Sequence, residues 1–459
     1  MENWQLYPKP AETKEFKFSW IAILAFYILV IGGALAIRTL TWPEGKPVDT
    51  FLFLIQAVVA PFMIISTMLG YIFMLAQSDV YFRDCKKSYY DWRLYNTKVY
   101  ARKYLVIADW SSVTPVKDIA LQMLKLEGEF PLAPKTPLII GSGEEFETTK
   151  AQQILTKLIA PLSEKLKKYP GFDVTFGLQG VDETISDGLI KIFQEQGIVV
   201  GNPITCLTEC PDYSLLNKMI TESERHWNYR HLLIIIDLHN DEDSKFMENA
   251  SALFICNDYP QNERPKPVFL FQPLTSDQDL SETTPVFIDT QPSKPQKTLW
   301  HTGLSQSEKY PLFSVLGEKN VAAQRLELDL SLGEHSAGYG WLALVIASDA
   351  IRYAQGPQLV AASEKNKPGI VALSSEQPPK LSTPDIDDYA IPPVAIALVA
   401  AFLAVFGTLL GWIAYVGVPD YFWLIIFDVL VIIISGVIGW KLTVAAQEEA
   451  YDAISRSHC

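Results

Sequence analysis

Charged side chains are almost absent from four windows of the chain and ordinary elsewhere. The windows run from about Trp20 to Ile37, Phe51 to Ala76, Ile391 to Val416 and Tyr421 to Trp440. Each is long enough to cross a bilayer, which takes about 20 apolar residues. Helices are the form such runs take, because they satisfy their own backbone hydrogen bonds in hydrocarbon. The pattern predicts two membrane helices over 19–76, two more over 391–441, and tails over 1–18 and 442–459. Residues 77–103 carry Tyr81, Phe82, Tyr89, Tyr90, Trp92, Tyr95 and Tyr100 among basic residues, which predicts a helical extension of the second span at the membrane interface.

A different periodicity fills 104–373. Short apolar runs read as buried strands: Tyr104–Ala108, Pro137–Gly141, Asp173–Gly177, His231–Asp237, Ser251–Cys256 and Pro267–Phe271. Amphipathic helices are predicted over Thr148–Lys168, Thr184–Gln196 and Ser214–Arg225. Continuous apolar strands alternating with such helices predict an α/β domain whose sheet is covered on both faces. The Pro-, Ser- and Thr-rich stretch from Pro273 to Lys297 predicts a loop or an internal boundary near 275–298, and 374–390 reads as a linker.

Orientation follows the bias of Lys and Arg in short flanks. The tail has Lys9, Lys14 and Lys17, and the segment after the second span has Arg83, Lys86, Lys87, Arg93, Lys98, Arg102 and Lys103. The loop after the first span holds only Arg38 and Lys46, and the turn from Gly417 to Asp420 holds none. Both termini and the α/β domain are therefore expected on the cytoplasmic side of a bacterial inner membrane. A cleaved leader ending near Ala34-Leu35-Ala36 is the rival; its long polar start and the second span that follows at once weigh against it.

The formal net charge of −14 argues against nucleic acid as a partner. Five scattered cysteines fit a reducing compartment rather than a disulfide framework. Within the spans, Asp428 and Gln56 are the intramembrane polar residues, and Asp428 is expected to bond Gln56, Thr67 or Ser66 across a bundle. Gly407-x-x-x-Gly411 faces Ser435-x-x-x-Gly439 in the simplest packing of small residues.

Chemistry is thinly marked. Asp237, His239 and Asp241 end a buried strand, where α/β sheets place ligands, and they are the candidate metal ligands; the spacing matches no specific site, so no metal and no cofactor is expected. Cys206-x-x-x-Cys210 lacks a second pair at zinc spacing and reads as two packed thiols. Ser336 in Glu334-His335-Ser336-Ala337-Gly338 resembles a nucleophile elbow except that Glu334 stands where its first glycine belongs. His301, His335 and Ser336 are the candidate catalytic residues, with no P-loop or dinucleotide fingerprint beside them.

The segment Leu326–Leu373 resembles the carboxyl-terminal part of the thiolase-like superfamily: Leu332-Gly333-Glu334-His335-Ser336-Ala337-Gly338 after a strand, a small-residue helix over Trp341–Tyr353, then Gln358-Leu359-Val360 and Gly369-Ile370-Val371 as a strand pair. The resemblance implies two βα halves. No cysteine nucleophile and no usual histidine context stands out, which implies a degenerate domain. The layout of paired anchors and an α/β domain is also similar to membrane-anchored accessory proteins of bacterial type VI secretion, of the adaptor or immunity kind. On that basis the expectation is a non-catalytic protein that binds a protein partner and membrane lipid, its oligomeric state open. The alternative is a membrane-bound enzyme acting on a lipid or acyl substrate.

Overall fold

The computed structural model describes residues 4, 19–48, 50–128, 134, 136–141, 148–181, 185–239, 244–260, 263–275, 280–293, 296–383, 391–415 and 421–455. From the amino terminus come α1 (Trp20–Thr41), a short α2 (Phe51–Leu54), a π-helical turn over Ile55–Val59, and α3 (Ala60–Ala101). Next are β1 (Tyr104–Val113), α4 (Ile119–Met123), α5 (Lys150–Ile159), α6 (Ser163–Lys168), β2 (Asp173–Gln179), α7 (Ile185–Gln196), β3 (Thr205–Leu207), α8 (Ser214–Arg225), β4 (Arg230–Asp237) and β5 (Asn249–Cys256). Then follow β6 (Val268–Phe271), β7 (Leu274–Thr275), α9 (Leu280–Thr290), β8 (Thr298–Thr302), α10 (Gln306–Glu318), β9 (Gln324–Glu327), α11 (Leu328–Leu332), α12 (Tyr339–Arg352), β10 (Gln358–Glu364) and β11 (Lys367–Ser374). The last helices are α13 (Pro393–Tyr415) and α14 (Tyr421–Ser455). The chain divides into an α/β unit, residues 1–5 and 96–381, and a helical unit, residues 6–95 and 382–459.

The α/β unit is built on a duplicated sheet. Its strands run in the order β3-β2-β4-β5-β1-β6-β11-β10-β8-β9. In the first half β3, β2 and β4 are parallel, β5 is antiparallel to β4, and β1 is antiparallel to β5. The second half repeats this pattern with β9, β8, β10, β11 and β6. The halves join where Tyr104–Ile107 of β1 pair with Val268–Phe271 of β6. β7 continues along β11 beyond the Gln272-Pro273 interruption. The fold is therefore a mixed α/β sheet made of two βα halves.

Helix α12 explains why the halves cohere. Apart from Asp349, Tyr339–Ile351 is apolar or small on every side and is buried. A helix without a polar face must be enclosed, and α12 touches β1 and β5 of one half and β8 and β10 of the other. Small residues such as Ala343, Ala347 and Ala350 allow that close fit. Trp110 Nε1 donates to Asp349 Oδ1 at 2.8 Å and ties α12 to β1. On the opposite side of the first half, Phe172 meets Phe193 and Phe254 edge to face at 6.0 and 5.7 Å.

Two sequence expectations change. Pro137–Gly141 joins no strand among the described residues; instead Ile140 N donates to buried Glu248 Oε2 at 2.8 Å and Glu248 N donates to Leu138 O at 3.0 Å. The stretch expected as a loop from Pro273 to Lys297 contains α9, despite Pro285 within it. Burial of Leu280, Val286, Phe287 and Ile288 outweighs its weak helix propensity. Trp4 packs edge to face on Phe287 at 5.1 Å and donates to Pro273 O at 3.3 Å, so its side chain lies in the core of the α/β unit.

Among the described residues, the helical unit has four helices long and apolar enough to cross a membrane. Its polar side chains pair across helices: Arg38 donates to Gln56, Tyr27 and Ser66 share a bond at 2.8 Å, Tyr71 bonds Ser435, and Thr408 donates to Asp428 at 2.6 Å. Asp428 thus finds Thr408 on the adjoining helix, not Gln56, Thr67 or Ser66. Small residues set the packing: a Cβ on Gly439 would lie 2.6 Å from Ala397 Cβ, one on Gly407 3.0 Å from Met63 Cβ, while Gly411 has open space. Gly407 therefore faces α3, and Gly439 faces the start of α13. Beyond the apolar windows α3 and α14 stay together through Tyr81, Cys85, Ala446 and Ala450.

Phe254 is fully buried against two other rings. Phe254→Ala should destabilise the α/β unit by about 3–5 kcal/mol, read as faster amide hydrogen exchange along β4 and β5 in the detergent-solubilised chain.

Candidate functional site

A cleft of about 530 Å³ opens where β2, β3 and β10 end. Gly180, Thr208 and Cys210 follow the parallel strands β2 and β3, and Glu364 closes β10. His335 and Ser336 come from the loop before α12. Carboxyl ends of parallel strands are where open α/β sheets leave room for a ligand. The duplication places the key loops in matching positions. Cys210 stands four residues ahead of α8, and His335 stands four residues ahead of the equivalent helix α12. The two helices meet at their starts, where Tyr213 Oη donates to Gly340 O at 2.6 Å and Trp341 Nε1 to Pro211 O at 2.7 Å.

His335 sits between two carboxylates. Its Nδ1 lies 3.4 Å from Asp329 Oδ1 and 3.2 Å from Thr302 Oγ1, and its Nε2 lies 3.3 Å from Glu364 Oε2. Gly303 makes the approach possible: its φ is +67°, and a Cβ there would stand 2.5 Å from His335 Cε1. Burial alone would push the imidazole down, but the bonds and charges of Asp329 and Glu364 outweigh it and raise the pKa to about 9. At neutral pH His335 is a cation that donates hydrogen bonds, not a base. Asp329 is partly desolvated, yet His335, Thr302 and Gly303 N, the last at 2.7 Å, hold its carboxyl below the ordinary value.

Cys210 is a free, buried thiol. Burial, with the nearby Glu364 carboxylate adding to it, pushes its pKa well above the ordinary thiol range. The cleft therefore holds a neutral thiol and an imidazolium, with Glu364, an acceptor for His335 Nε2, lining the same space. An ion pair from Lys365 in the β10–β11 turn to Glu209 crosses the mouth, and beside it Lys367, at the start of β11, lies 3.8 Å from Asp212.

Ser336 does not face the cleft as a free nucleophile. Its hydroxyl donates to Asp237 Oδ2, which also accepts from Gly338 N at 2.9 Å and Asn249 Nδ2 at 3.3 Å. Asp237 is fully enclosed beneath the loop. His239 is directed elsewhere, its Nε2 2.7 Å from Phe246 O, and Asp241 lies outside the described residues. Among the described residues no group of three or more His, Cys, Asp and Glu is placed to hold a metal. His301 points to the other side of β8, against Phe313 at 5.3 Å, and burial lowers its pKa to about 4. Of the sequence candidates the structure brings His335 and Ser336 to the cleft and leaves His301 and His239 apart from it. Sequence reasoning passed over Cys210 and Glu364. The available signal for Cys210 was its place between a strand and an amphipathic helix, in step with His335.

No protein-family model matches the chain, and no curated protein matches it. Similar solved structures exist. One is a type II polyketide-synthase acyl-carrier protein in complex with its ketosynthase, at 11% identity over 60% of this chain and 100% of that one, TM-score 0.45. A second is 3-oxoacyl-(acyl carrier protein) synthase III from Pseudomonas aeruginosa, at 14% identity over 61% and 100%, TM-score 0.38. A third is OleA from Xanthomonas campestris bound with cerulenin, at 10% identity over 60% and 97%, TM-score 0.38. Such identities speak to fold and carry no activity over. They do correct the type VI secretion reading, adaptor or immunity, and the non-catalytic function drawn from it: the similar structures are condensing enzymes and not secretion accessory proteins. The expectation of a degenerate domain is corrected as well, because both halves carry their full complement of five strand positions.

Raised from 6.5 to about 9, His335 contributes stability that is fully present below pH 6.5 and lost as pH rises through 9. The melting temperature of the wild type should exceed that of His335→Gln at pH 6, and the difference should vanish by about pH 10.

Proposed function

We propose that the chain is a membrane-anchored enzyme of acyl groups, with Cys210 as the acyl acceptor and His335 as the charged donor facing the developing oxyanion. The observation that carries this is the convergence of a sheltered thiol, an imidazolium and a carboxylate on one cleft at the strand ends. In the transfer, Cys210 Sγ bonds to the carbonyl carbon of an acyl thioester and the bond from that carbon to the departing sulfur breaks. The Cys210 proton passes by way of Glu364 to the departing thiolate. His335 Nε2–H turns from Glu364 to the carbonyl oxygen while that oxygen carries negative charge, which frees Glu364 to take the proton. A thiol held protonated is a poor nucleophile, so the first step waits on transfer of its proton to Glu364.

We further propose that the α/β unit and both termini lie on the cytoplasmic side. Basic residues concentrate in the flanks that this orientation places inside. Trp4, ahead of α1, is buried within the α/β unit, which supports one side for both.

The test is incubation of the purified full-length protein with a fatty-acyl N-acetylcysteamine thioester, followed by peptide mass spectrometry. An acyl adduct on Cys210, absent in Cys210→Ser and slowed about 10²–10³-fold in His335→Gln, is the expected result. An adduct spread evenly over the cysteines, or none at all, would overturn the proposal.

A further inference from the structure

The polar cluster beneath the cleft has an uneven set of partners. Asp237 Oδ2 accepts three hydrogen bonds, from Ser336 Oγ, Gly338 N and Asn249 Nδ2. Asp237 Oδ1 is buried and accepts none. Asn249 Oδ1, belonging to the same cluster, is also buried and accepts none. Both residues are fully enclosed. Gly338 brings them together: a Cβ on it would lie 2.6 Å from Asp237 Oδ2 and 2.8 Å from Asn249 Oδ1. An ionised carboxylate spreads its charge over two equivalent acceptor oxygens. One that loads every donor onto a single oxygen, beside a second acceptor without a donor, leaves two desolvated acceptors facing nothing.

A carboxylic acid resolves both at once. Its carbonyl oxygen takes the three donors and its hydroxyl donates to the orphan amide oxygen. We propose that Asp237 is a neutral acid in the folded protein, Oδ1–H bonded to Asn249 Oδ1, and that it acts as a positioning residue: it anchors the Ser336–Gly338 loop that carries His335 without setting a negative charge beside Cys210. The surrounding groups agree. Glu364 on β10, Cys210 before α8 and Tyr339 on α12 are the titratable groups whose fields reach Asp237, and none is a cation. The imidazolium of His335 is already engaged by Asp329 and Glu364. Burial raises the acid's pKa against the three donors that lower it. The start of α12 favours an anion, but it directs its Gly338 N–H to Oδ2 and leaves Oδ1 unmet.

The proposal rests on the uneven set of partners around Asp237 and holds whether or not Cys210 accepts acyl groups. Asp237→Asn replaces the acid by an amide of the same shape, whose N–H can serve Asn249 Oδ1. Two readouts on the full-length protein are taken: the pH profile of Cys210 alkylation by iodoacetamide, resolved by peptide mass spectrometry, and the protonated-carboxyl stretch in the infrared. The expected result is a Cys210 profile in Asp237→Asn that superimposes on the wild type, with loss of one carboxylic-acid band. Faster alkylation of Cys210 at fixed pH by about tenfold, a midpoint shift of about one unit, with no band lost, would mean that a negative charge had been removed and would overturn the proposal. If Asp237→Asn does not fold, Ser336→Ala decides. Removing one donor from Oδ2 should move an acid band present in the wild type, and a spectrum without such a shift would reject the neutral acid.

Discussion

The antiparallel pairing of β1 with β6 is the constraint on which the α/β unit rests. Only four residues of each strand take part, Tyr104–Ile107 with Val268–Phe271, yet this ladder is what turns two five-strand halves into one sheet. Once it forms, α12 is held against strands of both halves and can dispense with a polar face. The N-terminal loops of α8 and α12 then face each other, and the cleft between them follows. Neither half would build the cleft alone, because Cys210 belongs to the first and His335 and Glu364 to the second.

The electrostatics of the cleft are those of a site at rest. Acidic groups surround it, so the thiol keeps its proton and the imidazole gains one. Each carboxylate is engaged: Asp329 by His335, Thr302 and Gly303, Glu209 by Lys365 and Asp212 by Lys367. Such pairing satisfies the groups and leaves little free charge in the cleft. A neutral Asp237 beneath the loop belongs to the same economy, holding the His335 loop from below by hydrogen bonds rather than by charge.

In the helical unit the physical problem is different. Side chains with donors and acceptors within apolar helices must find one another, and they do so pairwise: Thr408 with Asp428, Tyr27 with Ser66, Arg38 with Gln56. Gln56 lies in a π-helical turn, a local widening that changes the direction of the following side chains. Glycines and alanines at Gly70, Gly407 and Gly439 set how closely the helices approach.

Local pattern was enough for much of this. Four apolar windows announced the four helices long and apolar enough to cross a membrane, the alternation of runs marked β4, β5 and the helices at Ile185–Gln196 and Ser214–Arg225, and the small-residue run marked α12. These are properties of neighbouring residues, and periodicity reports them directly. The sequence by itself also determined the charge balance and the inventory of thiols and histidines. Strand order, the duplication and the meeting of Cys210 with His335 were decided only by the tertiary structure, because they depend on pairing between residues more than a hundred positions apart. Helix α9 and the stretch at Pro137–Gly141 show the same limit from the other side. There burial of Phe287 and the demands of Glu248 override local preference, and a side chain's neighbours in space, not in sequence, decide what it does.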